Sequence, residues 1–284
     1  MKLTLQSAGK TPITALQHIA AIAEPQRTLD ISDAHRTILH CEDVIYSEAV
    51  KAEVDAACHA ARLDYAFTPV TQQLSDFKLL SMDMDSTLIT IECIDEIADM
   101  QGLKSQVSAI TEASMRGELD FNESLLRRVA LLKGLDASAL QRVYDERLQL
   151  SPGAEKMLAA IQAAGIKTLL VSGGFTFFTD RIKTRLNLDY TYANTLEIVD
   201  GKLTGKVVGE IVNADVKKTT VEKICGELNI TPTQTIVMGD GANDLKMMGI
   251  SGLSVAFRAK PIVREKASLA LNFVGLDGIL PILA

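Results

Sequence analysis

Two aspartates, Asp83 and Asp85, stand two positions apart in the stretch SMDMDSTLIT, with Thr87 two further on. The apolar run FKLLSM just before them has strand length, so both carboxylates are expected where a buried strand emerges. In an open α/β sheet that carboxyl edge is where ligands bind. Two acids placed there repel each other unless something positive joins them. Mg²⁺ is the natural partner: it takes hard oxygen ligands and usually also contacts a substrate phosphate. An aspartate beside a metal and a phosphate can act as nucleophile and form an aspartyl-phosphate. A calcium loop does not fit, because it wants Gly at its sixth position and a bidentate Glu at its twelfth, where this chain has Leu88 and Ile94. A lone D-x-D also reads as a solvated turn after a strand, so the phosphate reading depends on three pieces downstream.

In IKTLLVSGGF a strand ends on Ser172, followed by Gly173 and Gly174. A hydroxyl with freely turning backbone N–H groups can cradle an anion, although glycines also follow strands simply to turn the chain. Lys217 and Lys218 begin a helix whose buried stripe is Val221, Ile224 and Leu228. Lys217 shares that stripe and Lys218 is turned aside. A lysine facing inward either snorkels out or meets a negative group; here a fixed cation for a phosphate and a nucleophile is the favoured reading. QTIVMGDGANDL delivers Asp240 at another strand end between Gly239 and Gly241, and Asn243 and Asp244 open the next helix. It is no Walker loop, having the wrong spacing and no Lys in place. Asp240 is a third metal-ligand candidate, and Asp244 can cap its helix while holding Lys217.

These groups need a frame. At 284 residues the chain could be one large domain or two smaller ones, and its 47% hydrophobic content is ordinary for a globular protein. A net charge of −7 gives no reason to expect nucleic acid or an anionic membrane as partner. The four cysteines are scattered without a C-x-x-C pair; they argue for neither a zinc site nor a disulfide framework and fit reduced thiols in cytosol. Neither a signal-peptide pattern nor a bilayer-spanning run is found, so a cytoplasmic protein is expected. Residues 1–72 read β-α-β-β-α-β, the order of a ferredoxin-like α+β sandwich. That order looks like an amino-acid-binding regulatory domain of the ACT type; a packing or dimerising role is an equal alternative, which leaves a homodimer open. VTQQLSD is the expected linker. From about residue 76 to 284, strands alternate with helices, predicting a parallel sheet covered on both faces, with four helical stretches at about 91–150 inserted as a cap. YTYANTLEIVDGKLTGKVVG is expected to form a hairpin turning at Asp200–Gly201.

In the cap stretch FNESLLRRVALLKG, the apolar stripe is Phe121, Leu125, Val129 and Leu132. Arg128 lies seven residues from Phe121, inside that stripe, and Arg127 points to the opposite side. An inward guanidinium above a phosphate site suits a bidentate grip on a carboxylate; an ion pair with a neighbouring helix is the alternative.

DMDSTLIT, the Ser of VSGGF, Lys217 and GDGAND match in order the four motifs of haloacid-dehalogenase-type phosphatases. The chain resembles most closely the phosphoserine phosphatases of that superfamily, through ECIDEIA, MRGELDFNESLLRRVALLKG, ANTLEIVDGKLTG and AKPIVREKA, over roughly residues 76 to 280. The resemblance implies a Rossmann-like core with a helical cap, Mg²⁺ dependence and hydrolysis of O-phospho-L-serine to serine and phosphate. It assigns Asp83 as nucleophile and Asp85 as general acid and then base. It makes Asp83, the backbone carbonyl of Asp85, and Asp240 the Mg²⁺ ligands, with Asp244 in support. Ser172 and Lys217 would hold the phosphate, Glu92 and Arg128 the amino and carboxylate groups, and Phe121, Met115, Gly173 and Asn243 would line the pocket. Transfer to a second alcohol, or hydrolysis of another small phosphomonoester, is the competing function; a binding protein with a dead core is disfavoured because every acid the chemistry needs is present.

Overall fold

The computed structural model describes residues 1–115 and 118–284, without the side chain of Met115. The first strands and helices are β1 (Lys2–Ser7), α1 (Ile13–Ala20), β2 (Arg27–Asp30), β3 (Ile38–Glu42), α2 (Glu48–Ala61) and β4 (Leu63–Thr68). They form an antiparallel sheet of order β2-β3-β1-β4, the ferredoxin-like arrangement that the element order predicts. Ser47 caps α2 by accepting from the Val50 N–H, and Leu3, Leu5, Leu16, Val54 and Cys58 fill the space between sheet and helices.

All six residues of β1 are buried, the polar ones included. Its polar face is covered by the C-terminal end of the chain. Gln6 donates to the Gly278 carbonyl at 2.9 Å, and the Asp64 carboxylate of β4 accepts from the N–H groups of Asn272, Phe273 and Val274 at 2.7, 2.9 and 2.8 Å. Arg36 meets Asp277 at 2.7 Å.

The larger sheet begins with β5 (Leu79–Met82). The cap helices α3 (Cys93–Asp99), α4 (Lys104–Met115), α5 (Phe121–Leu131) and α6 (Ser138–Glu146) follow, then α7 (Ala154–Ala163), β6 (Lys167–Phe175), α8 (Thr176–Leu186), β7 (Tyr190–Val199) and β8 (Lys202–Val208). The chain continues with α9 (Ala214–Leu228), β9 (Thr235–Gly239), α10 (Leu245–Met248), β10 (Leu253–Phe257), α11 (Pro261–Lys266), β11 (Leu269–Leu271) and α12 (Ile279–Ile282). The strand order is β11-β10-β9-β5-β6-β7-β8, parallel throughout except for the β7–β8 hairpin. Asp200 and Gly201 both take positive φ (50° and 75°), as a type I′ turn requires. Two hydrophobic clusters cover the sheet, one of which also holds the cap residues Leu125, Val129 and Leu132. β5 lies at the centre with β9 and β6 on either side, so their carboxyl ends converge.

Candidate active site

Asp83 leaves the end of β5 with its N–H bonded to the Met238 carbonyl of β9 and its Oδ1 accepting from the Met84 N–H at 2.7 Å. The chain then turns sharply: Ser86 takes φ 55°, a left-handed conformation that costs a non-glycine residue energy and recurs at functional sites. The Ser86 hydroxyl donates to Glu92 Oε1 at 2.6 Å, closing the turn onto the start of α3. That geometry carries Asp85 back over the sheet, where its Oδ1 accepts from the Cys93 N–H at 3.0 Å and its Oδ2 lies 3.5 Å from Ser172 Oγ.

Lys217 is fully buried, and its Nζ lies 2.7 Å from Asp83 Oδ2 and 2.8 Å from Asp244 Oδ1. It does not snorkel. Burial disfavours its charge, but Asp244 and Asp83 outweigh that cost and push its pKa above the usual lysine value. α9 starts at Ala214, three residues before the expected start, because Asn213 caps it by accepting from the N–H groups of Asp215 and Val216. Lys217 therefore sits in the first turn, on the face toward the sheet, and Lys218 pairs outside with Glu222.

Asp240 follows β9, and Thr87 donates to its Oδ1 at 3.1 Å. Asp244 Oδ2 accepts from the Gly241 N–H at 3.1 Å. A Cβ at Gly239 would collide with Asp244, and one at Gly241 with Asn243, so both glycines permit the close approach. One carboxylate oxygen each from Asp83, Asp240 and Asp244 lies within 4.8 Å of the others. Burial, then the neighbouring acids, raise Asp240 to about 7. Asp244 also rises to about 7, through burial and Asp83, with Lys217 opposing. Crowded hard-oxygen donors in a protein interior fit a divalent cation, which would remove the repulsion. The Asp85 carboxylate is not part of this cluster.

Asp85 itself is pushed up to about 8, first by burial and then by the charges of Glu92 and Asp83, with the Cys93 N–H bond opposing. Its proton-carrying form is thereby favoured relative to an ordinary aspartate, close to the carboxylate that Lys217 holds. Ser172 is fully buried in an irregular part of β6, where the register against β7 shifts, and its Oγ accepts from the Gly174 N–H at 2.8 Å.

From the cap, Phe121 approaches Gly173 so closely that a Cβ there would come within 3.0 Å of its ring. Arg128 is half-buried, with its Nε donating to the Ser124 carbonyl at 3.3 Å, and among the described residues no carboxylate is within ion-pair distance of it. The charges of Asp95, Glu92 and Asp85 reach its guanidinium. Glu92 is raised by the surrounding protein, while the Ser86 bond and Arg128 oppose. Asn243 is half-buried beside Gly241. The side chain of Met115 lies outside the described residues.

Sequence reasoning passed over Asn194 and gave Thr87 no partner. Asn194 is buried in β7, donating to the Gly173 carbonyl at 2.7 Å and accepting from the Val212 N–H at 2.9 Å, so it ties the glycine loop to the segment before α9. Its signals were a polar residue inside the strand stretch YTYANTLEI and its place in ANTLEIVDGKLTG, neither of which gives it a partner.

The sequence model of the haloacid dehalogenase-like hydrolases matches residues 77–252. A curated phosphoserine phosphatase from Polaromonas sp. is 57% identical over 213 residues, which is 73% of this chain and 90% of the relative. A solved HAD family hydrolase from Salmonella enterica serovar Typhi superposes with a TM-score of 0.89 at 34% identity, over 99% of this chain and 98% of that one. A phosphoserine phosphatase solved as a phospho-aspartyl intermediate analogue is 40% identical, with a TM-score of 0.69 over 73% of this chain and 99% of its own. The carboxylate cluster, the buried lysine and these likenesses agree: the chain belongs to the haloacid dehalogenase-like hydrolases and is a phosphatase of that family.

Proposed function

We propose that the protein is a Mg²⁺-dependent phosphoserine phosphatase, hydrolysing O-phospho-L-serine to L-serine and phosphate through an aspartyl-phosphate on Asp83, the last step of serine biosynthesis. The observation that carries this reading is the pairing of two differently held carboxylates: Asp83 bound by Lys217, and Asp85, with no cation on it among the described residues, turned back over the sheet between the Cys93 N–H and Ser172 Oγ. Phosphate-ester cleavage asks mainly for positioning and charge neutralisation. Lys217 holds Asp83 in place through its Oδ2 and offsets the repulsion between two anions. Ser172 and Lys217 would hold the phosphate oxygens. The Asp83–phosphorus bond forms as the bond from phosphorus to the serine oxygen breaks, and Asp85 gives its proton to that oxygen, a contribution of about 10²–10⁴-fold. Asp85, now ionised, takes a proton from water as the water oxygen bonds phosphorus and the Asp83 bond breaks, which restores both acids. Asp83, Asp240 and the Asp85 carbonyl, with Asp244 in support, would hold Mg²⁺, whose charge would stabilise the transferring phosphoryl group.

Glu92 and Arg128 supply opposite charges for the ammonium and carboxylate of serine, with Phe121 and Asn243 closing the pocket. The relative from Polaromonas and the phospho-aspartyl analogue support the same substrate and intermediate. The test is phosphate release from a panel of small phosphomonoesters with and without Mg²⁺, with an amino-alcohol acceptor present in one arm. Phosphoserine is expected to be the preferred substrate, and a new phosphoester on the acceptor would point to transfer instead. Asp83→Asn should lose turnover and phosphoenzyme while staying folded; a hydroxylamine-sensitive phosphoenzyme in that variant would assign the nucleophile elsewhere.

A further inference from the structure

Asp95 has no place in the chemistry above, yet it lies one helical turn from Glu92, in the first turn of α3. Its Oδ1 is enclosed by protein and has no hydrogen-bond partner among the described residues. A buried carboxylate oxygen without a donor is costly and calls for an explanation. Among the described residues, two cations reach Asp95 electrostatically, Arg128 first and then Lys104. Lys104 is already engaged, 3.7 Å from Asp99. Arg128 is not: its Nε is used on Ser124, and its remaining donors meet no carboxylate among the described residues. The relation is reciprocal, since Asp95 is the leading charge favouring the guanidinium, ahead of Glu92 and Asp85. A guanidinium has five donors in a fixed fork, enough to face two carboxylates at once.

We propose that Asp95 is a positioning residue for Arg128, its orphaned oxygen taking one edge of the guanidinium while the other edge receives the substrate carboxylate. The inference rests on the phosphoserine reading. Arg128 is then held between a fixed acid on α3 and a transient one on the substrate, with Glu92 left free for the ammonium. Asp95 touches neither the phosphate nor Asp83, so its loss is expected in binding of the serine part and not in phosphoryl transfer.

The experiment compares wild type, Asp95→Asn, Asp95→Glu and Arg128→Ala on phosphoserine, phosphoethanolamine and p-nitrophenyl phosphate. Asp95→Asn should raise KM for phosphoserine about tenfold, the worth of one hydrogen-bonded contact, with kcat nearly kept. Phosphoethanolamine, which lacks the carboxylate, should show a much smaller change, and Asp95→Glu should recover part of the loss. In an Arg128→Ala background Asp95→Asn should add little, because the residue acts through the missing guanidinium. A loss shared equally by all three substrates, or one fully additive with Arg128→Ala, would make Asp95 merely structural and overturn the proposal. So would an unchanged KM. Failure of wild type to prefer phosphoserine would instead sink the functional reading, which keeps the two failures apart.

Discussion

Arg127 and Arg128 are neighbours in sequence with opposite surroundings. Arg127 is exposed and pairs with Glu123 at 2.6 Å one turn away, whereas Arg128 is half-buried and carries no ion pair among the described residues. A charge-assisted hydrogen bond is worth roughly 1.5–3 kcal/mol, and each ~1.4 kcal/mol is tenfold. Arg128→Ala should therefore lower kcat/KM for phosphoserine by about ten- to several-hundredfold, with p-nitrophenyl phosphate much less affected. Arg127→Ala removes a solvent-exposed pair worth about 0.3–0.5 kcal/mol and should change little. Equal losses on both substrates would mean that Arg128 holds the cap together. The two arginines were distinguishable in sequence because helical period alone separates them. Lys217 was legible for the same reason, and Asp83 and Asp240 because each ends an apolar strand. The bond from Thr87 to Asp240 was not, since it joins positions 153 residues apart and no local pattern encodes it.

Elements position these residues through small steric tolerances, most sharply at the end of β6. A Cβ at Gly174 would collide with Asp85 Oδ2 and press on Met84 at 2.9 Å and Ser172 Oγ at 3.1 Å. The glycine is required by side-chain crowding and not by a left-handed backbone. Gly174→Ala should displace the general acid and the phosphate cradle together and cut kcat by about a hundredfold, the usual cost of an ångström-scale misplacement. The fold itself should survive, since the crowding is confined to the cleft. Gly226→Ala is the control: this glycine lies within α9 with nothing within 4 Å, so alanine there should stabilise by about 0.5–1 kcal/mol and leave turnover alone. A Gly174→Ala enzyme with normal kcat would show that Asp85 has room to shift. The sequence marked V-S-G-G-F as a turn or an anion cradle without choosing between them. The choice depends on Asp85 returning over the sheet, which the left-handed Ser86 brings about and which no periodicity shows.

At the scale of the whole molecule, the first seventy residues are held by more than a linker. Asp64, Arg36 and Gln6 all bond to residues 272–278, and Ala66 belongs to the same hydrophobic cluster as Ile279, Ile282 and Leu283. A polar strand face reads as wet in sequence, but it can be buried when each polar group finds a partner, and those partners lie more than 200 positions away. The phosphatase solved as the phospho-aspartyl analogue is matched almost entirely by 73% of this chain, so the catalytic portion has a counterpart of its own length. Residues 76–284 expressed alone should thus retain phosphoserine turnover but melt below the full chain, having lost this docking. An inactive fragment would show that the catalytic cleft depends on the N-terminal sheet.

The same interface is expected to sense acid through His40. The ring is buried, and its Nε2 lies 2.6 Å from the Pro281 carbonyl, so the neutral ring donates a hydrogen bond there. Burial is the main influence on it and lowers its pKa below the ordinary 6.5; the bond to Pro281 and the charge of Glu42 oppose this, and Lys2 adds to it. A histidine whose pKa is lower in the folded chain than in the unfolded one adds stability that is complete above about 6.5 and drains away as pH falls through the folded value. Between those two values the unfolded chain binds the proton more readily, and the docking of the sheet against α12 weakens. His40→Gln keeps a donor but cannot titrate, so it should lose less stability than wild type between about pH 7.5 and about pH 5.5. Urea midpoints of the two proteins at both pH values measure the difference. If wild type and variant fall by the same amount, the acid sensitivity of the fold lies elsewhere than at the Pro281 contact.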